Sequence, residues 1–352
     1  MRIRVVDLEI DVAKPALFYL FPPSSMATIV EIVFLGTGTS GAVPNVSCLT
    51  NPEQSCKVCL SAMTPQGKKN MKKNTSLMVR FRSHNDPPNA RLRNVLIDCG
   101  KTFYESALEL FPRYGIRELD AVILTHGHAD ACYGMDALRQ WTLGGAVQKH
   151  IDIFLSSETM DTIQTTFTFL VDVRNATGGG DVATFNYQVI STDKPFDIYG
   201  LEFMPLPVHH GIYLSSGEPY WCLGFKIGHV ISYISDTNYI PPDTMKRIVS
   251  GEPNQVFVVD CLRVGDTHAS HFALKDSLAA ARQVNATKTY LVGTTHRVDH
   301  YEMEASLASL EKEEGLRVAP AFDGLRILFN NDKTLTETSY LDEQSKLIGA
   351  TS

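Results

Sequence analysis

Hydrophobic residues recur along the chain at two spacings, which predict alternating strands and helices. Short apolar and β-branched runs bounded by turn residues predict strands, and apolar residues three and four positions apart predict amphipathic helices. The predicted strands are Glu31–Leu35, Asn94–Asp98, Ala121–Leu124, Ile151–Leu155, Leu201–Leu206, Val230–Ile234, Gln255–Val259 and Thr287–Val292. The predicted helices are Phe103–Phe111, Asp136–Trp141, Phe272–Val284 and Glu302–Glu313.

The order of these elements indicates a mixed α/β fold. We assign residues 27–335 to one domain, with an insertion at about 148–195 around the glycine run 178–180. Residues 1–26 precede the first convincing strand and are interpreted either as a disordered extension or as the product of an upstream start. Residues 336–352 are interpreted as a C-terminal tail.

Composition and charge narrow the functional classes. The 352 residues are 44% hydrophobic, which is enough to bury a large core, and the net charge of -7 argues against a general binder of nucleic acid or of membrane surfaces. Seven cysteines are an odd number, and we find neither an export signal nor a stretch of membrane-spanning length, so a reducing, cytoplasmic location is expected. The dense basic cluster is predicted to be a solvated loop; it consists of Lys68, Lys69, Lys72 and Lys73.

The glycine-rich turn Gly36–Gly41 matches the G-x-G-x-x-G pattern of a dinucleotide-binding loop. That pattern must open a helix packed on the sheet, whereas Pro44 and Pro52 follow and prevent a long regular helix. We therefore interpret the turn as a strand exit near an active site.

The strongest chemical pattern directly follows the strand Ala121–Leu124. His126, His128 and Asp130 are each two residues apart, so their side chains share one face of an extended segment, whereas on a helix they would diverge. Imidazole nitrogens and a carboxylate suit zinc, iron or manganese. The alternative is that the three side chains only decorate a polar loop.

Other predicted strands end at further candidate ligands. His210, Asp236 and His296 each follow a different strand. Ligands at the ends of several strands, all on one edge of a sheet, are what an α/β metal site needs, because the strands fix the loop geometry. The strand ends therefore predict one shared metal centre.

Together these motifs resemble the metallo-β-lactamase superfamily, and within it the branch that contains RNase Z and the cyclic phosphodiesterase of the carbon-phosphorus lyase pathway. The resemblance runs from about Glu31 to Phe329. It is carried by Leu35–Thr39, Asn74–Ser76, Leu96–Gly100, His126, His128, Asp130, His210, Ser235–Thr237, His296 and Phe322–Gly324.

This resemblance implies an αββα sandwich, with two mixed β-sheets flanked by helices and a dinuclear centre at one edge of the sheets. It implies zinc or manganese at one or two catalytic sites. Asp130 would also orient the attacking water, and His271, in preference to His268, would contact phosphate or donate a proton to the leaving group. The implied ligands are His126, His128 and His210 for a first metal, Asp236 as a bridge, and Asp130 and His296 for a second metal.

One departure from the family pattern weakens the second site. The usual motif has a histidine ligand after the aspartate, and this chain has Ala131 there. The centre could then be mononuclear, loosely dinuclear, or completed by another group such as Asp260. Cys132 is a less favoured substitute, because its neighbouring position turns its side chain elsewhere.

A separate structural zinc is implied by the same branch, which holds one with three cysteines and a histidine. The matching residues here are Cys48, Cys56, Cys59 and His300, although their spacing differs slightly from that of the relative. Free thiols in a core are the alternative. A closed Cys₃His site would be tetrahedral and would tie the long loop to the active-site edge.

The function expected from the resemblance is metal-dependent hydrolysis of a small phosphodiester. Nucleic acid is not the expected partner, because no tRNA-binding arm is recognisable. The sequence leaves open whether the protein forms a homodimer. Hydrolysis of a thioester, lactone or ester is a second candidate. A third is a metal-binding accessory protein of cofactor biosynthesis with reduced catalysis, which Ala131 favours and the retained ligands oppose.

Overall fold

The computed structural model describes residues 27–177 and 181–342. Predictions that concern residues 1–26, 178–180 and 343–352 lie outside the described residues. Within them, two β-sheets pack face to face and helices cover both outer faces. The predicted αββα sandwich of two mixed sheets is therefore confirmed.

The first sheet has eight strands in the order β15-β14-β1-β2-β3-β4-β5-β6. Antiparallel pairing runs from β15 to β3, and parallel pairing from β3 to β6. Its strands are β1 Ala27–Gly36, β2 Ser76–Ser83, β3 Arg93–Ile97, β4 Ala121–Ile123, β5 Ile151–Leu155, β6 Phe185–Val189, β14 Leu325–Phe329 and β15 Leu335–Ser339.

The second sheet has seven strands in the order β13-β12-β11-β10-β9-β8-β7. Strands β10 to β13 are parallel, and the long hairpin of β8 and β9 is antiparallel. Its strands are β7 Phe196–Ile198, β8 Leu201–Ile212, β9 Pro219–Ile227, β10 Ile231–Ile234, β11 Val256–Asp260, β12 Lys288–Val292 and β13 Val318–Pro320.

Helices pack on the outer face of each sheet. Apolar residues of α3 to α7 join a cluster on the first sheet, and those of α8 to α10 join one on the second. Among the described helices, none is long and apolar enough to cross a bilayer. The α-helices are α1 Val46–Leu49, α2 Lys57–Ala62, α3 Phe103–Tyr114, α4 Ala129–Cys132, α5 Arg139–Thr142, α6 Ser157–Thr166, α7 Thr168–Val171, α8 Pro242–Val249, α9 Leu274–Val284 and α10 His300–Glu314. Short 3₁₀ turns lie at Lys68–Asn70, Met135–Leu138, Leu143–Gly145 and Val173–Asn175.

The central core lies between the two sheets and fixes their edges relative to each other. Side chains such as Phe34, Phe81, Phe203 and Phe225 are fully or almost fully buried there. Each large apolar side chain contributes about 1.5–3 kcal/mol when buried. Because parallel strands β3, β4, β10, β11 and β12 all end at the same edge of the sandwich, their following loops meet there.

The predicted insertion at residues 148–195 and the predicted C-terminal tail at residues 336–352 both contribute to the first sheet. The region 148–195 contains β5 and β6, and β5 pairs directly with β4. The region 336–352 begins inside β15, which pairs with β14 and leads to the buried Tyr340. Both regions therefore supply strands to the sandwich itself.

Candidate metal centre

The loop after β4 carries the first candidate ligands and is tied to both sheets. The backbone N–H of Leu223, on β9, donates to the carbonyl of Thr125 at 3.0 Å. His126 is almost completely buried behind this contact, whereas His128 is exposed. The loop therefore presents its histidines at the open edge between the two sheets.

The orientation of His126 is set by its neighbours. Thr125 donates its backbone N–H and its hydroxyl to the Asp98 carboxylate at 2.8–3.0 Å, and its Oγ1 lies 2.8 Å from His126 Nδ1. Since the single hydroxyl proton goes to Asp98, the oxygen accepts from an Nδ1–H of His126. Burial raises the pKa of Asp98, and the two hydrogen bonds from Thr125 oppose that rise. His126 Nε2 then carries a lone pair, and it is buried with no hydrogen-bond partner among the described residues.

His210 is oriented in the same way from β8. A bulge between His209 and Ile212 turns the strand, and the carbonyl of Ser270 lies 2.7 Å from His210 Nδ1. A carbonyl can only accept, so Nδ1 carries the proton and Nε2 is left with a lone pair. That Nε2 lies 3.2 Å from Nδ1 of His128.

Three imidazole nitrogens therefore converge at one point. Ligand atoms of His126, His128 and His210 all lie within 4.8 Å of one another. In His126 and His210, a hydrogen-bond partner holds the ring proton on Nδ1 and leaves Nε2 for a metal. Metal-binding histidines are usually oriented in this way. This donor set, with the partnerless Nε2 of His126, fits a zinc-type ion with an open position.

A second group shares His210 and includes Asp236 and His271, again within 4.8 Å. His271 Nδ1 lies 2.8 Å from Oδ2 of the fully buried Asp260 and 3.8 Å from Oδ1 of Asp236. Asp260 also accepts from the backbone N–H of Thr237 at 3.0 Å. Asp260 thus holds the His271 ring through its Nδ1. Among the described residues, Asp260 is not part of the groups of clustered ligand atoms.

The charges of these groups depend on each other. Burial lowers the pKa of His126 well below its ordinary value. His128 has an exposed side, but loss of water around the part of the ring inside the cluster, followed by the neighbouring His210, lowers its pKa to about 4. Both rings are therefore neutral at pH 7. Burial would also lower the pKa of His271, but the Asp260 carboxylate raises it to about 9. Burial would raise the pKa of Asp236, but the imidazoles of His210 and His271 lower it to about 2.

Asp130 lies in α4, the short helix that begins directly after His128. Its burial, followed by the negative charge of Asp236, raises the pKa of Asp130 to about 6. The Asp130 backbone packs directly against Gly100. A Cβ at position 100 would lie 1.8 Å from the Asp130 carbonyl oxygen, so this approach requires glycine there. Among the described residues, the Asp130 carboxylate is not part of either group of converging ligand atoms.

The structure brings His296, and not His300, to the three cysteines. His296 Nδ1 lies 3.3 Å from Cys48 Sγ and 3.5 Å from Cys56 Sγ, and these atoms and Cys59 Sγ all lie within 4.8 Å of one another. Burial would raise the pKa of Cys56, but the backbone N–H of Cys59 and the side chain of His296 lower it to about 7. Burial raises the pKa of Cys59 to about 12.

The path of the chain after β12 explains this difference from the expectation. Thr294 bridges Gly38, and the Gly293 N–H donates to the Thr37 carbonyl at 2.9 Å, so the segment runs beside the exit of β1. It therefore brings His296 to the cysteine loop. His300 begins α10 with its side chain fully buried, 5.5 Å from the Phe322 ring and 3.8 Å from the Glu304 carboxylate. Neither of its ring nitrogens has a hydrogen-bond partner in the part of the chain that the structure describes.

Three residues of the site had no role in the sequence prediction. Thr125 and Asp98 lie in segments singled out for their motifs, but only the fold shows that Thr125 links Asp98 to His126. Tyr220 stacks on His128 with ring centroids 4.6 Å apart and an interplanar angle of 5°, and its hydroxyl accepts from the Gly127 N–H at 3.2 Å. A tyrosine on a strand carries no sequence pattern that distinguishes this role from core packing.

Comparisons with known proteins agree with this architecture. The model of the beta-lactamase superfamily domain matches residues 93–293. A curated octanoyltransferase of Porphyromonas gingivalis is 24% identical over 300 residues, which cover 85% of this chain and 51% of that protein. The chain therefore spans about half the length of that relative.

Solved structures show the same fold at low sequence identity. A diphosphatase of the PhnP family superposes with a TM-score of 0.65 at 24% identity, covering 86% of this chain and 98% of that one. The metallo-beta-lactamase fold protein YhfI of Bacillus subtilis gives 0.58 at 15%, covering 88% and 100%. The short form of human tRNase Z gives 0.50 at 13%, covering 84% and 98%.

Proposed function

Because the chain belongs to the metallo-β-lactamase superfamily, whose fold binds divalent metal, we propose that this hydrolase cleaves small phosphodiesters. The observation that carries the proposal is the convergence of His126, His128 and His210, with two of the three rings oriented by Thr125 and by the Ser270 carbonyl. A phosphodiester is favoured because His271, at the same centre, is held as a cation by Asp260. A cation beside the metal stabilises the charge that develops on phosphoryl oxygens.

The proposed metal is zinc or manganese, held by the three histidines and by Asp236. When bound, such an ion lowers the pKa of a coordinated water and polarises a phosphoryl oxygen. Asp130, whose pKa is raised to about 6, accepts a hydrogen bond from the attacking water and orients it. His271 gives the proton on Nε2 to the leaving oxygen while Asp260 keeps its Nδ1–H in place.

We propose one metal ion at this centre, together with one structural zinc at the thiols. The support is that this centre lacks the two nitrogen ligands of the family's second metal site. Ala131, at one of those positions, has no ligand atom, and His296, at the other, lies beside Cys48 and Cys56. The structural zinc would then be held by Cys48, Cys56, Cys59 and His296 instead of His300. None of the seven cysteines forms a disulfide bond, which supports the proposed reducing, cytoplasmic location.

The activity test uses the full chain stripped of metal and reloaded with zinc or manganese. Hydrolysis of bis(p-nitrophenyl) phosphate, p-nitrophenyl acetate and a thioester is compared at equal metal occupancy. We expect the phosphodiester to be turned over with the largest kcat/KM, and Asp130→Ala to lose most of that rate. Full metal occupancy with no phosphodiester cleavage, or a preference for the thioester or acetate, would contradict the proposed substrate class.

The ligand assignment is tested by metal content and by the absorption of cobalt-substituted protein. His296→Ala is expected to weaken the thiolate-to-cobalt charge-transfer band and to leave the metal of the histidine centre in place. His300→Ala is the matched control and should keep the band. The reverse pattern would restore His300 as the structural ligand and His296 as a catalytic one.

A further inference from the structure

Exposed apolar residues continue directly from the metal-binding histidine into the turn between β8 and β9. Ile212 is 59% exposed, Tyr213 is 44% exposed and Leu214 is 97% exposed. Single exposed apolar side chains are common on protein surfaces, but a contiguous set beside a functional site marks a place where something binds. We refer to Ile212–Leu214 as the apolar lip.

The apolar lip is connected to the metal centre by a row of rings. Tyr220 stacks flat on His128 at 4.6 Å, and Tyr213 meets Tyr220 edge to face at 5.2 Å and 76°. Such aromatic pairs are favourable in these geometries. A ligand group that extends from the exposed ring of His128 along Tyr220 therefore reaches Tyr213 and the apolar lip.

The turn that carries the apolar lip is held in one conformation. Tyr213 donates its backbone N–H to the Glu218 carbonyl at 2.8 Å, and Gly217 donates to the Tyr213 carbonyl at 2.7 Å. Gly211 donates to Asn238 Oδ1 at 2.7 Å. The turn is thus closed by its own hydrogen bonds, and its exposed side chains lose little further backbone entropy on binding.

The charges of this hairpin indicate the chemistry of the ligand. From Leu201 to Ile234 the chain has one lysine and no arginine. That residue, Lys226, is buried and donates to the carbonyls of Ile248 and Ser250. Binding of a long polyanion needs several free cations, and the turn instead holds Glu218.

We propose that the apolar lip and Tyr220 bind an uncharged aromatic or aliphatic substituent on the phosphoryl group of the substrate. This inference rests on the proposed function, because the phosphoryl group is anchored at the three histidines. It assigns the substrate to small phosphodiesters with at least one apolar ester group. Polynucleotide chains are not accommodated along this side of the centre.

The test measures binding of two inert anions, phenylphosphonate and methylphosphonate, to the metal-loaded full chain by titration calorimetry. Both carry the same phosphonate, and only the first carries a ring. We expect phenylphosphonate to bind at least ~10-fold more tightly, since the ring removes apolar area from water. Leu214→Ser and Tyr213→Ala should reduce the ratio to about 3 or less. Leu108→Ser and Tyr104→Ala, which alter exposed residues of α3, should leave it unchanged.

Each other outcome overturns the inference in a distinct way. Equal affinity for the two phosphonates in the unmodified protein would remove the apolar-substituent site and leave the proposed function standing. If neither phosphonate binds the metal-loaded protein, the anion site at the histidines fails, and the inference falls with it. If Leu214→Ser changes the mass measured by light scattering but not the affinity ratio, the apolar lip is a contact between copies of the chain.

Discussion

Adjacent histidines on β8 have different surroundings because side chains alternate along a strand. His210 faces His128 and donates its Nδ1–H to the Ser270 carbonyl. The His209 ring instead packs against the rings of Trp221 and Tyr239, with centroids 4.5 and 5.2 Å away. The resemblance to the family favoured His210 as the ligand, because the family motif places the ligand directly before the glycine-type turn. It could not show which groups orient the ring, because Ser270 lies far along the chain.

The proton-donor role of His271 predicts a specific effect on rate. His271→Gln removes the ring that Asp260 holds, and we expect kcat for a phosphodiester to fall by about 10²–10⁴-fold. The metal content should stay constant, since the three-histidine site is untouched. His268→Gln alters the nearby histidine bonded to Ser270 and should change kcat by less than about 3-fold. Loss of metal in His271→Gln would instead show that His271 is a ligand.

The link from Asp98 through Thr125 to His126 predicts an effect on metal affinity. Thr125→Val removes the hydroxyl that fixes the His126 tautomer, and we expect zinc affinity to fall by about 10–100-fold. Thr125→Ser keeps the hydroxyl and should bind zinc nearly as tightly as the unmodified chain. Competition with a chromogenic chelator measures both, and equal weakening in the two variants would mean that the hydroxyl is not the cause.

At the scale of elements, the sequence located the strands of the metal site better than the loops between them. The strands β3, β4, β10, β11 and β12 match the apolar runs, because burial on both faces gives a continuous hydrophobic pattern.

The basic cluster was interpreted as a solvated loop, and this is wrong for Lys72. That side chain is 1% exposed and donates to the Val298 carbonyl at 3.2 Å. Its burial lowers the pKa of Lys72 to about 8, and no local pattern reveals a lysine buried by a distant segment.

Glu109 joins α3 to the basic segment and to the end of β15. Its carboxylate lies 2.7 Å from Lys73 Nζ and accepts from the Tyr340 hydroxyl at 2.8 Å. Burial would raise the pKa of Glu109, but Lys73 and Tyr340 lower it to about 2. An unfolded glutamate has a pKa of about 4.3. The stabilisation is therefore present above pH ~4.3 and is lost as the pH falls toward 2.

We expect Glu109→Gln to lower the free energy of unfolding by roughly 1–3 kcal/mol at pH 7. The difference from the unmodified chain should narrow as the pH falls below ~4.3, because Glu109 then becomes protonated in the unfolded chain while it stays ionised in the folded one until the pH approaches 2. Urea midpoints at pH 7, 4 and 3 measure it. Glu105→Gln, an exposed change on the same helix, is the control. A difference that does not depend on pH would contradict an ionic contribution.

At the scale of the whole molecule, the sequence could predict the sandwich and the shared edge but not every partner across it. The mixed α/β class and the strand ends that carry His126, His128, His210 and Asp236 follow from local patterns, whereas the sandwich was implied by the resemblance to the family. His296 and its cysteines come from opposite ends of the chain, and their meeting depends on the bridge of Thr294 to Gly38. Long-range pairing of this kind leaves no periodic trace in a single sequence.

The central claim is that His210, and not its neighbour, completes a metal centre that hydrolyses phosphodiesters. Metal content per chain and bis(p-nitrophenyl) phosphate hydrolysis, measured together on His210→Ala and His209→Ala, test it most directly. We predict that His210→Ala loses one metal ion and about 10³-fold or more in kcat/KM, because removing a ligand empties the centre that lowers the pKa of water. His209→Ala should keep both the metal and the rate. Full metal content and activity in His210→Ala, or equal losses in the two variants, would contradict the account.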